Sequence, residues 1–294
     1  MGQFIMLPSG DTTMAPATST DRARESSQNG RSAACQFGTE LRRFVHGQLA
    51  MARMHLARPG NDRHDGVHEA RKCLRRTRAA LALGAKPWRQ AVAASDHELR
   101  RICRGLSSVR DAQALVEALS RLQGDEEFTA NLCQNSRVAA TQHRDNVLTL
   151  ALRRDGDFAA RRRRIEKVDV RLAALDWTVL EPGDARAALK RSERRLRGAR
   201  QRAMSKPDQA AVWHTFRRRL RRLRQQVTLL GAIAPEIVRG IEDRDDQAVM
   251  LGELQDDSLL LARCAGRSPF AIEYRGPLRR IARRRLSRRL AAAM

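Results

Sequence analysis

Aromatic side chains are scarce, at 4% of 294 residues with a single tyrosine. Proteins that read single-stranded nucleic acid stack bases on aromatic faces. The basic stretches described below carry no aromatic residue on their cationic side, which favours an anion without bases. Lysine is also rare: Lys72, Lys86, Lys167, Lys190 and Lys206 are the only lysines among 57 cationic residues. The rest are arginines, whose planar fork grips phosphate oxygens in pairs. Acidic residues number 33, leaving a net charge of +24. That charge says little about fold but implies an anionic partner.

Cysteine pairing is missing too. Cys35, Cys73, Cys103, Cys133 and Cys264 are separated by 38, 30, 30 and 131 residues. There is no C-x-x-C and no zinc spacing, so buried free thiols in a reducing compartment are expected. The apolar run Phe4 to Leu7 is too short for a signal peptide, and no run approaches a membrane span. The reading is a cytoplasmic protein without membrane contact. P-loop glycines, a nucleophile elbow and H-E-x-x-H are all absent. No cofactor, no metal and no catalytic centre are expected, which makes this a binding protein rather than an enzyme.

What the sequence does contain is one pattern used twice. In His68-Glu69-Ala70-Arg71-Lys72-Cys73-Leu74-Arg75-Arg76-Thr77-Arg78, a helical turn of 100° per residue sorts the side chains. His68, Arg71, Lys72 and Arg75 fall on one side, flanked by Arg76 and Arg78. Ala70, Cys73, Leu74, Thr77 and Leu81 form an apolar stripe opposite. After 146 residues the pattern returns without a gap as His214-Thr215-Phe216-Arg217-Arg218-Arg219-Leu220-Arg221-Arg222-Leu223-Arg224. Phe216, Leu220, Leu223, Val227 and Leu230 form its stripe, and Arg219 replaces Cys73. A single basic helix face is ordinarily a solvated one. Solvation does not require the same histidine and arginines in register twice.

Helical periodicity covers most of the chain. Residues 1–34 are rich in Ser, Thr, Gly, Ala and Pro and read as a disordered tail. A first helix runs from Phe37 to the stop at Arg58-Pro59-Gly60. Asp65 or Gly66 caps the helix bearing His68, and Pro87 opens the next. Its period continues from Leu99 through Leu122. A helix from Asp125 to Arg154 follows, with Leu132, Val138 or Ala139, Val147 and Leu150 or Ala151 inside. A linking helix spans 157–176, and its Arg161 to Arg164 run reads as a solvated turn. The second copy begins after Glu181-Pro182-Gly183, and Pro235 takes the part of Pro87. Leu251-Gly252-Glu253-Leu254-Gln255-Asp256 then matches Leu106-Ser107-Ser108-Val109-Arg110-Asp111. The last helix runs from Pro277 to Leu290. No stretch alternates with period two. The fold class is all-α: two pseudo-symmetric helical bundles from an internal duplication, repeat one about 35–155 and repeat two about 183–291. Basic helix faces would line a shared central cleft.

The duplicated H-x-x-R-[KR] helix, each copy followed by Leu-x-x-[VL]-x-Asp, resembles the CHAD domain, the conserved histidine α-helical domain. The resemblance spans roughly residues 36–290. It implies binding of inorganic polyphosphate on basic helix faces around a central cavity, and association with polyphosphate granules. Carried onto this chain, the contacts would be His68, Arg71, Lys72, Arg75, Arg76 and Arg78 with His214, Arg217, Arg218, Arg221, Arg222 and Arg224. Many relatives also carry a CYTH triphosphatase domain, for which this chain has neither the E-x-E-x-K motif nor room.

The two histidines admit phosphate contact, structural packing or metal ligation; Glu69 is expected to point away from the basic side, leaving His68 no carboxylate for a metal. Asp111 and Asp256 are read as orienting arginines or capping a turn rather than as general bases. Two rival functions stand beside polyphosphate binding: weak non-specific nucleic-acid binding, and a metal-dependent phosphatase or phosphotransferase. Sequence sets neither the oligomeric state nor the preferred chain length.

Overall fold

The structure, a computed structural model, describes residues 19–84, 86–241 and 244–293, with side chains from residue 36 onward. Ten α-helices and no strand occur among the described residues: α1 (Ser19–Leu56), α2 (Arg63–Leu81), α3 (Arg89–Gly105), α4 (Ser107–Ser120) and α5 (Ala130–Arg154), then α6 (Ala159–Ala173), α7 (Pro182–Ser205), α8 (Ala210–Ile233), α9 (Asp245–Arg263) and α10 (Ile272–Ala293). The packing of the two copies corresponds. α1 lies on α2 as α7 lies on α8, and α4 lies on α5 as α9 lies on α10.

The copies do not keep separate cores. One apolar cluster joins Leu41 and Leu49 of α1 and Leu74 of α2 to Phe216, Leu220 and Leu223 of α8. The other joins Leu115 and Leu119 of α4 and Leu132 of α5 to Leu260 of α9 and Leu278 and Ile281 of α10. Each cluster therefore draws helices from both repeats, and α2 meets α8 directly. At that contact Gln226, wholly buried, donates from Nε2 to the Ala79 carbonyl at 3.1 Å. A buried hydrogen bond from one helix to a backbone carbonyl of the other ties the two basic helices together.

Several expected boundaries move. Residues 19–34 belong to α1 rather than to a tail; the first 18 residues of the expected tail lie outside the described part. Once the apolar run from Phe37 anchors α1, extending it backward adds one bond per residue ordered and needs no new nucleus. Asp62, not Asp65 or Gly66, precedes α2. Gly66 instead lies in the first turns of α2, where an added Cβ would come within 2.3 Å of the His55 carbonyl oxygen. Its missing side chain lets α1 and α2 approach. The period from Leu99 to Leu122 is two helices, broken at Leu106. In the second copy α9 runs unbroken through the corresponding point, and Pro235 opens only a short 3-10 turn. α5 starts at Ala130, where Thr129 caps Leu132. Of the expected pairs, Ala139 and Ala151 pack against the cores while Val138 and Leu150 of α5 are half exposed, because Ser136 and Ala140 take the inner face. The linking helix α6 buries Ile165, Val168 and Leu172 as expected.

Candidate functional site: the paired basic helices

Each apolar stripe seats its helix and thereby aims the cations. Leu74 and Leu220 are buried to within 1%, and the residue after each, Arg75 and Arg221, lies about 100° round the helix. Both stay half-buried where α2 meets α8. Neither has a hydrogen bond or an acidic partner among the described residues, and Nε of Arg75 is buried without one. Burial, followed by the charges of Arg71, Arg217 and Arg110, pushes Arg75 down to about 10. Burial, followed by Arg75, Arg217 and Arg71, pushes Arg221 down to about 9. Both guanidiniums remain charged at neutral pH. The energy of crowding is therefore stored as mutual repulsion rather than relieved by losing a proton. Arg71 and Arg217 are lowered as well, each by burial first.

Other expected contacts are already occupied. Arg71 donates to the Cys103 carbonyl and, at 3.0 Å, to Ser107 Oγ, which anchors α2 to the α3–α4 junction. Arg78 is held by Asp96 of α3, Nε to Oδ1 at 2.7 Å. Arg222, pushed down to about 10 by burial, stands 3.9 Å from the same carboxylate. Arg224 pairs with Asp245 at the start of α9. The last arginine of each motif thus meets an aspartate from the element that follows. Lys72 and Glu69 pair at 2.9 Å, and Glu69 lies 3.8 Å from His68 Nε2. Glu69 therefore does not point away from the basic side, because the Lys72 ammonium one turn on attracts it. Arg76 carries no partner among the described residues, and Arg218 reaches only Thr215 Oγ1, at 3.5 Å.

The histidines differ despite their matching positions. His214 is exposed, and its Nδ1 lies 2.7 Å from Oε1 of Gln255 on α9. That bond occupies one ring nitrogen in a helix contact. His68 is half-buried and is held below 6.5, by burial first and the Arg110 charge second. Among the described residues no three His, Cys, Asp or Glu side chains come close enough to hold a metal ion.

Sequence reasoning passed over two contributors. Arg110 of α4 makes a bidentate pair with Glu117 at 3.0 and 2.8 Å, yet its charge reaches His68, Arg71, Arg75 and Arg217. Its place beside Asp111 in the Leu-x-x-Val-x-Asp segment was the available signal. Asp96 had none, since a lone aspartate on a helix has no pattern. Asp256 accepts from Arg121 at 2.6 Å and faces Arg217 and Arg110. Asp111 faces Arg71. Both fit the arginine-orienting role. The Arg161 to Arg164 run is less free than a solvated turn: Arg161 pairs with Asp155 at 2.6 Å and Arg164 with Glu98 at 2.5 Å, since α6 packs on α3.

Two expected outcomes follow. Asp96→Asn removes the charge that holds Arg78, Arg100 and Arg222. Loss of charge-assisted hydrogen bonds costs about 1.5–3 kcal/mol, or about 3–10 °C of melting temperature for a protein of this size. Affinity for a polyanion should rise, since three guanidiniums, those of Arg78, Arg100 and Arg222, are released. Thermal unfolding and binding measured on one preparation check both signs. The second outcome concerns pH. His55, His64, His68 and His143 are all held below 6.5, in each case by burial first. As pH falls through 6.5 the unfolded chain takes up protons before the folded one, so stability falls. The urea midpoint of the free protein should be lower at about pH 5.5 than at about pH 7.5; an equal midpoint would contradict the burial of these rings.

An all-helical chain in which two basic helices of like sequence meet is the class that the fold and the site define. The sequence matches the CHAD domain over residues 44–265, and the chain belongs to that family. Among solved structures it resembles PptA from Streptomyces chartreusis, with 21% identity, a TM-score of 0.57, and coverage of 87% of this chain and 95% of the other. That likeness supports the fold. A comparison with curated proteins gives no match. No described helix is long and apolar enough to cross a membrane.

Proposed function

We propose that this chain binds inorganic polyphosphate along the two basic helices, using one surface shared by both repeats. The observation that carries this reading is the Arg75–Arg221 pair. One arginine comes from each repeat, both are half-buried and line one groove, and the Arg75 charge bears on Arg221, with no acidic partner for either among the described residues. A folded protein that keeps cations so placed gains most from a ligand that brings several negative charges at once. Polyphosphate does so with no base to stack, in keeping with the scarcity of aromatics. Arg71, Arg217, Arg76 and Lys72 extend the surface, and His68 adds a donor when a bound phosphate favours its protonated form. Arg78, Arg222 and Arg224 act from behind their aspartates. The reading is of binding without turnover, and association with polyphosphate granules follows from such binding.

A length series tests it. Affinity should climb steeply from pyrophosphate to chains long enough to reach both helices, because linked contacts add. Long polyphosphate should displace duplex DNA from the protein, and DNA should not displace polyphosphate. Incubation with polyphosphate and magnesium should release no phosphate. Equal affinity for pyrophosphate and a long chain would exclude the shared surface, and DNA displacing polyphosphate would favour a nucleic-acid binder.

A further inference from the structure

The groove between α1, α2 and α8, about 720 Å³ in volume, is not cationic throughout. All that α2 contributes to its lining is His68, Lys72, Arg75 and Arg76. α1 contributes Phe44 and Met51, and α8 passes from Arg221 to Leu229 and Ile233. Arg221 and Ile233 are twelve residues apart, about 18 Å of helix. A bare phosphate chain would satisfy the arginines and leave the apolar lining wet. Met51 is 40% exposed there, and exposed apolar surface in a concave site is where ligand burial adds affinity. Gln48, between Phe44 and Met51 on the same face of α1, has a buried Oε1 with no hydrogen-bond partner. Closed from solvent in the empty protein, that acceptor costs free energy that a ligand N–H would recover once the Gln48 side chain turns its amide into the groove. Glu40 also lines the groove, but its charge is taken by Arg43 at 2.8 Å.

We infer that this groove takes a nucleoside polyphosphate, with its phosphates on Lys72, Arg75, Arg76 and Arg221 and its base among Phe44, Met51 and Leu229, donating to Gln48. The phosphate half rests on the reading of the arginines given above; the base half does not. The scarcity of aromatics argues against stacking a strand of bases, whereas one base needs only one apolar slot. An alkyl phosphate would fill the apolar lining equally well but has no N–H for Gln48.

The test is calorimetric titration of the whole chain with ATP, tripolyphosphate, dodecyl phosphate and a long polyphosphate, without added metal. ATP should bind at least tenfold more tightly than tripolyphosphate, which has the same three phosphates and no nucleoside. Met51→Ser and Gln48→Leu should each weaken ATP severalfold and leave tripolyphosphate within twofold, with helix content unchanged by circular dichroism. ATP binding no more tightly than tripolyphosphate would overturn the inference, as would either substitution leaving ATP unaffected or weakening both ligands alike. Dodecyl phosphate outcompeting ATP would overturn the base. Long polyphosphate separates the two readings. Its retention when ATP fails confines the failure to this groove, and its loss counts against polyphosphate binding itself.

Discussion

Replacing Arg75 and Arg221 together by glutamate is expected to weaken long-chain polyphosphate binding by on the order of 10²–10⁴-fold while raising the melting temperature of the free protein. The first effect comes from losing two charge-assisted contacts worth about 1.5–3 kcal/mol each, with a tenfold change for every 1.4 kcal/mol. The reversed charges add repulsion, so the upper end is expected. The second effect has the opposite sign because these two cations repel each other and Arg71 and Arg217 in the empty protein. Glutamates there would face cations instead. A merely solvated basic surface would show neither effect. Lysine at the same two positions should weaken binding only in part, since the charge stays and the paired guanidinium contacts go. Arg75 and Arg221 serve better than Arg71, whose anchoring of α2 to the Cys103 carbonyl and Ser107 would confuse a folding defect with a binding one. Unchanged affinity in a folded double variant would exclude the paired arginines as the site.

Salt should separate long chains from short ones by a wide margin. Neutralising phosphates releases counterions, with a slope of about −0.7 per contact on single-stranded nucleic acid. By that measure, eight contacts lose about 2,000-fold in affinity when salt rises from 50 to 200 mM, and two contacts lose about sevenfold. Long polyphosphate is expected to follow the first figure and pyrophosphate the second. Affinities measured at four or five salt concentrations give the slope directly. A shallow slope for the long chain would mean that a small enclosed pocket does the binding and that the extended arginine surface takes no part.

The fold class and the two basic faces were legible in the sequence because both rest on local periodicity. Leu74 and Leu220 lie inward, as the stripes required, so the placement of Arg75 and Arg221 on the opposite side followed from 100° per residue. Helix ends were read less well. Leu106 ends one helix and begins another in the first copy, whereas α9 passes the matching point unbroken, although both stretches carry the same apolar period. A break needs only one residue outside helical geometry, and periodicity is blind to it.

By itself the sequence determined that there are two copies of one cationic helix, in the same phase, each on an apolar stripe, within an all-helical chain of net charge +24. Only the tertiary structure decided that each core takes helices from both copies, and which cations were left without a counterion. Asp96 quiets Arg78 and Arg222, Asp245 quiets Arg224, and Gln255 occupies His214. Among the described residues no aspartate reaches Arg75 or Arg221. The difference is physical. A side chain's direction is set by the few residues around it, whereas its electrostatic partner arrives from tens of residues away, carried by how the helices pack.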